Sequence, residues 1–209
     1  MASNGRDILR RYYDAQAATY QTRMSGGVGG WFRERELAIT HDMIPLDGQG
    51  RNTLDAGCGP ALYSQLLRDR GFSVTAVDIS PEMVAIARNL GFPAYEMDIE
   101  HSEPAAELPM PFDFILCAGV LEFAEDIRRF LGSLRQMAAD EAEIVLVAPL
   151  AGTSGYLYRN HLVKRGIPAR VYTRKSLLTN LEAVGFEPLE VRTSWPICLA
   201  ARARAVNGR

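Results

Sequence analysis

The chain has 209 residues, 47% of them hydrophobic, enough to enclose one sizeable core. Its formal charge of −2 excludes a global field that would recruit nucleic acid or an anionic membrane, and no stretch is long and apolar enough to span a bilayer. Its three cysteines, Cys58, Cys117 and Cys198, are too widely spaced for a disulfide framework or a metal-ligand pattern; with no apolar signal core near Met1, this points to a reducing cytoplasm.

Residues 6–23 read as an amphipathic helix, with Ile8, Leu9, Tyr12, Tyr13, Ala17 and Tyr20 at apolar positions. The glycine-rich segment Ser25–Gly30 is expected to be a flexible joint. A second helix is expected from Trp31 to about Ile44, stopped by Pro45. Beyond residue 50, strands at 53–56, 73–77, 94–97, 112–118 and 143–148 alternate with helices at 61–70, 80–90 and 125–139. Ser80-Pro81 opens one of them with a hydroxyl cap and a proline at the first helical position. Such alternation implies a parallel sheet covered on both faces. A helix at 175–184 then precedes strands at 186–192 and 197–202. The four residues between those strands are too few for a parallel crossover, so this pair should be antiparallel.

The segment Leu54-Asp55-Ala56-Gly57-Cys58-Gly59-Pro60 joins an acid to a glycine turn at the end of a strand. Gly57 and Gly59 allow a sharp turn and a close backbone approach to a ligand. A dinucleotide's pyrophosphate favours bare amides at a helix N-terminus, and Asp55 would repel it. Leu62 also stands where the dinucleotide fingerprint needs its third glycine. The loop is suited to a positively charged nucleoside. Cys58 has no histidine nearby to activate it and reads as a small filler.

The segments LDAGCGPA (54–61), VDISPEMVAIAR (77–88), MDIE (97–100) and FDFILCAGVLEF (112–123) follow one another in an order and spacing that resembles the class I S-adenosylmethionine-dependent methyltransferases, over about residues 10–200. The resemblance implies an α/β, Rossmann-like, doubly wound seven-stranded sheet with an antiparallel C-terminal hairpin and an N-terminal helical lid. It implies a single domain, 1–209, with a helical cover at 1–46, a cofactor-binding core at 51–205 and a substrate-side insertion at 150–172. S-adenosyl-L-methionine is the implied cofactor.

By the same resemblance, Asp55, Gly57 and Gly59 line the methionine part of the cofactor, with Asp55 acting through water or by orienting the loop. Asp78 accepts the ribose hydroxyls, Ile79 and Met83 offer apolar surface to the adenine, Asp98 accepts its amino group, and Ile99 packs on the ring. The backbone of Cys117 and Ala118 reaches the ammonium group. Tyr13, Ala17 and Tyr20 belong to a lid helix swinging on the glycines at 26–30, and Arg35 stands where relatives keep an arginine for the cofactor's carboxylate.

Trp31 and Phe32, and Tyr156 and Tyr158 in the insertion, are expected to shape the acceptor pocket, with His161 as base or orienting group. The ubiquinone-biosynthesis type of relative carries an acid, two further residues and Glu-His after the fourth strand, a group linked to a divalent metal. Here the stretch is Gly119-Val120-Leu121-Glu122-Phe123, so no metal is expected. The expected activity is methyl transfer to a small molecule, with oxygen as the leading acceptor. Nitrogen, sulfur and protein acceptors, a nicotinamide-dinucleotide oxidoreductase and a noncatalytic cofactor-binding scaffold remain as alternatives. A nucleic-acid acceptor is not expected, for want of a basic stripe or a base-flipping motif.

Overall fold

Short apolar runs separated by amphipathic helices build one sheet with helices on both faces. This computed structural model describes residues 3–17 and 27–206, with side chains described over 5–17 and 34–206. Strand β1 (Asn52–Ala56) pairs in parallel with β2 (Ser73–Asp78) and β4 (Phe112–Ala118); β2 also pairs with β3 (Ala94–Glu96), and β4 with β5 (Ala138–Pro149). Strand β7 (Cys198–Ala205) is antiparallel to both β5 and β6 (Phe186–Ser194). The seven-stranded order is β3-β2-β1-β4-β5-β7-β6, with the expected reversed hairpin at one edge. Its direction of winding switches between β1 and β4, which is where open α/β sheets hold ligands.

Side-chain alternation divides the core into two layers. Ile115 and Cys117 of β4 join a cluster with Leu131 and Leu134 of helix α5 (Ile127–Met137) and Leu177 and Leu181 of α7 (Arg174–Ala183). Phe114 and Leu116 face the other layer, with Ile39 and Met43 of α2 (Gly27–Met43), Leu67 of α3 (Leu62–Asp69) and Val84 of α4 (Pro81–Asn89). The Ser80 hydroxyl accepts the Met83 amide at 3.2 Å, as a cap should. Helix α1 (Ser3–Gln16) lies against the carboxyl side of this assembly, and α6 (Thr153–Val163) supplies the order within the 150–172 insertion.

Several expected boundaries move. Helix α1 spans Ser3–Gln16, starting three residues earlier than expected, and the part of the expected helix from 18 to 23 lies outside the described residues. Helix α2 begins at Gly27, so Gly27, Gly29 and Gly30 form its opening turns instead of a joint. Each costs a helix about 1 kcal/mol relative to alanine, which is why the sequence pointed the other way. Strand β5 starts at Ala138, directly after α5, where the helix was expected to run to 139 and the strand to begin at 143. The register jumps from Phe112↔Ala138 to Phe114↔Glu143, and Glu141 takes φ 62° in the intervening bulge. Among the described residues no helix is long and apolar enough to cross a membrane.

Candidate functional site

A cavity of about 770 Å³ opens at the carboxyl ends of β1, β2 and β4. Gly57 and Gly59 form its floor turn, with φ of 79° and 51°. A Cβ on Gly57 would lie 2.2 Å from Cγ2 of Val120, so the turn after β1 and the segment after β4 touch too closely for any side chain. The amides of Gly57 and Cys58 donate to the Val77 carbonyl at 2.8 and 2.9 Å. Burial, with Asp78 and Asp55 nearby, pushes the Cys58 thiol up and keeps it protonated.

Asp78 ends β2 in the cavity wall. Its Oδ2 accepts the Gly59 amide at 2.8 Å and its Oδ1 the Ser80 amide at 2.9 Å. Burial nonetheless raises it to about 6 against the effect of those amides. Each carboxylate oxygen has a further lone pair for a ligand hydroxyl. Asp98 follows β3, with Ile99 beside it in the wall. It accepts Arg6 Nη2 at 3.0 Å and the Glu100 amide at 3.1 Å. Arg6 reaches past it to Glu100 Oε2 at 2.7 Å, and buried Glu100 is further satisfied by the amides of Glu125 and Asp126. Arg10–Glu96 at 3.1 Å and the Ser80 hydroxyl donating to Asp14 at 2.5 Å extend this line of ties between α1 and the sheet. Helix α1 thus covers one side of the cavity with Arg6, Leu9, Tyr13 and Gln16, spaced to share a face.

The opposite end is built from α2, α6 and the short helical turn Leu121–Phe123. The Tyr63 hydroxyl donates to Glu36 at 2.9 Å, and the Tyr158 hydroxyl to Glu122 Oε1 at 3.1 Å. Glu122 is buried, and its Oε2 has no hydrogen-bond partner. Burial raises Glu122 to about 8, and the carboxylate of Glu36 adds to the rise while the Tyr158 bond opposes it. Helix α6 and the turn after it present Ser154, Leu157, Tyr158, His161, Leu162 and Arg165, a run of 3- and 4-residue steps along one face.

Residues 30–191 match the family model described as a methyltransferase domain. The chain belongs to the methyltransferase-domain family. Among curated relatives, it is 27% identical over 141 residues to the ubiquinone biosynthesis O-methyltransferase of Pseudomonas paraeruginosa, a match covering 61% of each chain. The chain thus spans less than two thirds of that relative's length. Among solved structures, the Synechocystis magnesium protoporphyrin IX methyltransferase with bound S-adenosylhomocysteine aligns with TM-score 0.71 at 18% identity, over 95% of this chain and 99% of that one. An N-methyltransferase from Bradyrhizobium japonicum aligns with TM-score 0.65 at 17% identity, over 94% and 97%. The fold is that of the class I S-adenosylmethionine-dependent methyltransferases, and membership sets the oxidoreductase reading aside.

Measured against this cavity, the expected site residues divide. Gly57, Gly59, Asp78, Ile79, Asp98, Ile99, Tyr158 and His161 all line it. Asp55 does not: it is 1% exposed and takes the Ser64 hydroxyl of α3 at 2.5 Å, fastening that helix to β1. Met83 and Cys117 are fully buried in the core and absent from the wall, although the neighbouring Ala118 reaches it. Arg35 is exposed outside the cavity, and the next residue, Glu36, lines it instead. Tyr156 is 46% exposed and absent from the wall because residues two apart on a helix face different ways; its ring carries Arg159 at 5.4 Å. His161 is exposed at the cavity's rim, in contact with Arg165. Tyr20, and the side chains of Trp31 and Phe32, lie outside the described residues.

Sequence reasoning missed Arg6, Glu36 and Tyr63, and gave Glu122 no role. A signal for Glu36 was present: it shares a helical face with Ile39, Thr40 and Met43, all buried. Among the described residues, no group of three or more His, Cys, Asp or Glu is placed to hold a metal.

The wall fits S-adenosylmethionine. Asp78 retains lone pairs for hydroxyls, Ile79 and Ile99 offer apolar contact for a base, and Gly59 leaves open space where a Cβ would stand.

Proposed function

We propose that this chain transfers a methyl group from S-adenosylmethionine to a small-molecule acceptor, with oxygen as the acceptor atom. One observation carries the reading: a single cavity joins the strand-tip wall of Asp78 and Asp98 to an aromatic and acidic end formed by Tyr63, Tyr158, Glu36 and Glu122. The first end suits the nucleoside, and the second has room and polar groups for an acceptor. The O-methyltransferase names of the curated relatives support oxygen over nitrogen. Two carboxylates at the acceptor end also suit an amine, which is the second reading.

The cofactor, when bound, supplies a methyl carbon activated by its sulfonium. The protein's part is alignment and exclusion of water. Asp78 and Asp98 hold the nucleoside, the glycine turn lets the methionine portion approach the backbone, and α1 closes that end through Arg6 and Asp14. Tyr158 and Glu122 orient the acceptor from the far wall.

Calorimetry with S-adenosylmethionine, S-adenosylhomocysteine and the nicotinamide dinucleotides tests the cofactor. Labelled methyl transfer into a metabolite extract tests the enzyme and delivers the acceptor. Binding of both sulfur nucleosides and a labelled small molecule are expected; a dinucleotide bound in their place, or no labelled product, overturns the proposal. Chemical identification of the product separates an ether or ester from a methylamine.

A further inference from the structure

We propose that Glu122 takes the acceptor's proton during methyl transfer, and that Tyr158 positions it for that step. The inference rests on the methyl-transfer reading of the same cavity. Glu122 stands on the short turn after β4, and its carboxyl group is buried in the cavity wall. Oε1 accepts the Tyr158 hydroxyl at 3.1 Å, whereas Oε2 has no partner. Buried polar atoms are normally satisfied, so an unpaired carboxylate oxygen on a cavity wall marks the place of a ligand donor. An acceptor hydroxyl is such a donor.

The turn is fixed from outside the cavity. The Tyr172 hydroxyl donates to the Leu121 carbonyl at 2.8 Å, and the Arg170 amide to the Glu122 carbonyl at 2.8 Å. The Arg170 guanidinium is itself committed to the Ala124 and Glu125 carbonyls. The carboxyl group is therefore held before any acceptor arrives. Of the other proton acceptors at this end of the wall, Glu36 accepts the Tyr63 hydroxyl, and His161 is exposed at the rim beside Arg165.

The step balances. The acceptor oxygen's lone pair forms the new bond to the methyl carbon, and the carbon–sulfur bond breaks with its electrons moving to sulfur. The hydroxyl proton passes to Oε2 of the Glu122 carboxylate. One positive and one negative charge disappear together, leaving a methyl ether or ester, a neutral thioether and a protonated Glu122.

Several titratable groups surround this carboxyl group: Glu36 from α2, Cys117 from β4, Tyr158 from α6 and Cys198 from β7, with Tyr13 of α1 beside Tyr158. Tyr172 faces it from the segment after α6. Burial raises Tyr158 and Cys117 well out of the neutral range, and Cys198 to about 12, so these stay protonated where Glu122 titrates. With Glu122 raised to about 8, turnover should climb tenfold per pH unit below that value and level off above it.

The test compares the full chain with Glu122→Gln and Tyr158→Phe, using labelled S-adenosylmethionine and the extract product that the wild-type chain makes. Glu122→Gln should bind S-adenosylhomocysteine within twofold of wild type, lose turnover by about 100-fold or more, and lose the pH-dependent rise. Tyr158→Phe should keep the rise, shift its midpoint and lose about 3–10-fold in turnover, in keeping with a positioning role. Glu122→Asp should recover part of the rate. A Glu122→Gln chain that turns over at the wild-type rate, or more slowly with the rise intact, overturns the assignment. A wild-type chain that binds no S-adenosylhomocysteine, or labels nothing, overturns the methyl-transfer reading and the assignment with it; binding and labelling with an unaltered Glu122→Gln profile overturns the assignment alone.

Discussion

Replacing Gly57 by alanine tests how tightly the cavity floor is built. The new Cβ would meet Val120 Cγ2 at 2.2 Å and Cγ1 at 3.1 Å, on a backbone with φ 79°. The left-handed conformation costs an L-residue about 1–2 kcal/mol. Forcing extra volume against Val120 adds about 1–3 kcal/mol. Gly57→Ala should therefore destabilise by about 2–5 kcal/mol, a large share of the roughly 5–15 kcal/mol that holds a domain folded. Val120→Ala removes the obstructing methyls from a half-buried side chain and should cost about 1 kcal/mol alone. In the double variant the contacts to the two methyls are gone, leaving the backbone cost of Gly57→Ala and a tight 3.2 Å approach to Val120 Cβ. The cycle should give a favourable interaction of about 1–3 kcal/mol, read from urea unfolding with constant m-value. A Gly57→Ala cost below about 0.5 kcal/mol, or a double variant equal to the sum of the singles, refutes the contact argument.

Arg6→Ala removes the cation shared by Asp98 and buried Glu100, which keeps its two amide bonds, so urea unfolding should show a loss of about 1–3 kcal/mol while S-adenosylhomocysteine binds about 10-fold more weakly; unchanged affinity removes α1 from any lid role. Asp78→Asn turns an NH₂ group toward the amide of Gly59 or Ser80, and should weaken S-adenosylhomocysteine about 10-fold and stability by about 1–3 kcal/mol, measured by calorimetry and urea unfolding. Glu122 is raised from 4.5 to about 8, so the folded state holds its proton more tightly than the unfolded chain; its contribution is full at low pH and is lost as pH rises through about 8. Glu122→Gln should therefore gain about 4 kcal/mol relative to wild type between pH 5 and pH 9, and a difference that stays constant in urea titrations across that range contradicts the burial argument. His161→Ala should raise KM several-fold and leave the pH profile of turnover intact, because this residue meets the cavity at its exposed rim.

The sheet was legible because its central strands hold apolar runs bounded by a glycine, a proline or an acid, and because the link between the last two strands is too short for a crossover. The glycine turn, Asp78 and Asp98 were legible because they stand at strand tips, a position that spacing alone gives. Helical faces were harder. Tyr156 and Tyr158 have the same chemistry, and only the phase of α6, hidden in a segment with no clear periodicity, sends one outward and the other to Glu122. Arg35 and Glu36 pose the same problem in α2, where the charged run Arg33–Glu36 masks the buried stripe that follows. Asp55 was misplaced for a different reason. Its partner, Ser64, is nine residues on, and nothing in the strand announces a hydroxyl on the next helix that claims the carboxylate.

The displacement of Asp55 changes why, under the proposed function, this turn would favour a sulfonium nucleoside over a dinucleotide. A pyrophosphate needs free amides at the turn and the following helix N-terminus. Here the amides of Gly57 and Cys58 are committed to the Val77 carbonyl, that of Gly59 to Asp78, and that of Ala61 to the Cys58 carbonyl. The donors that would cradle phosphate are thus consumed by the turn's own closure onto β2. Two of the three closing bonds onto β2 go to a carbonyl and one to the carboxylate that also faces the cavity. Selection against phosphate therefore comes from spent amides and from Asp78, not from Asp55. On this argument Asp55→Asn should alter stability through its bond to Ser64 while leaving the preference for S-adenosylhomocysteine over a nicotinamide dinucleotide intact in competition calorimetry. If Asp55→Asn instead admits the dinucleotide, the discrimination resides in the buried carboxylate after all.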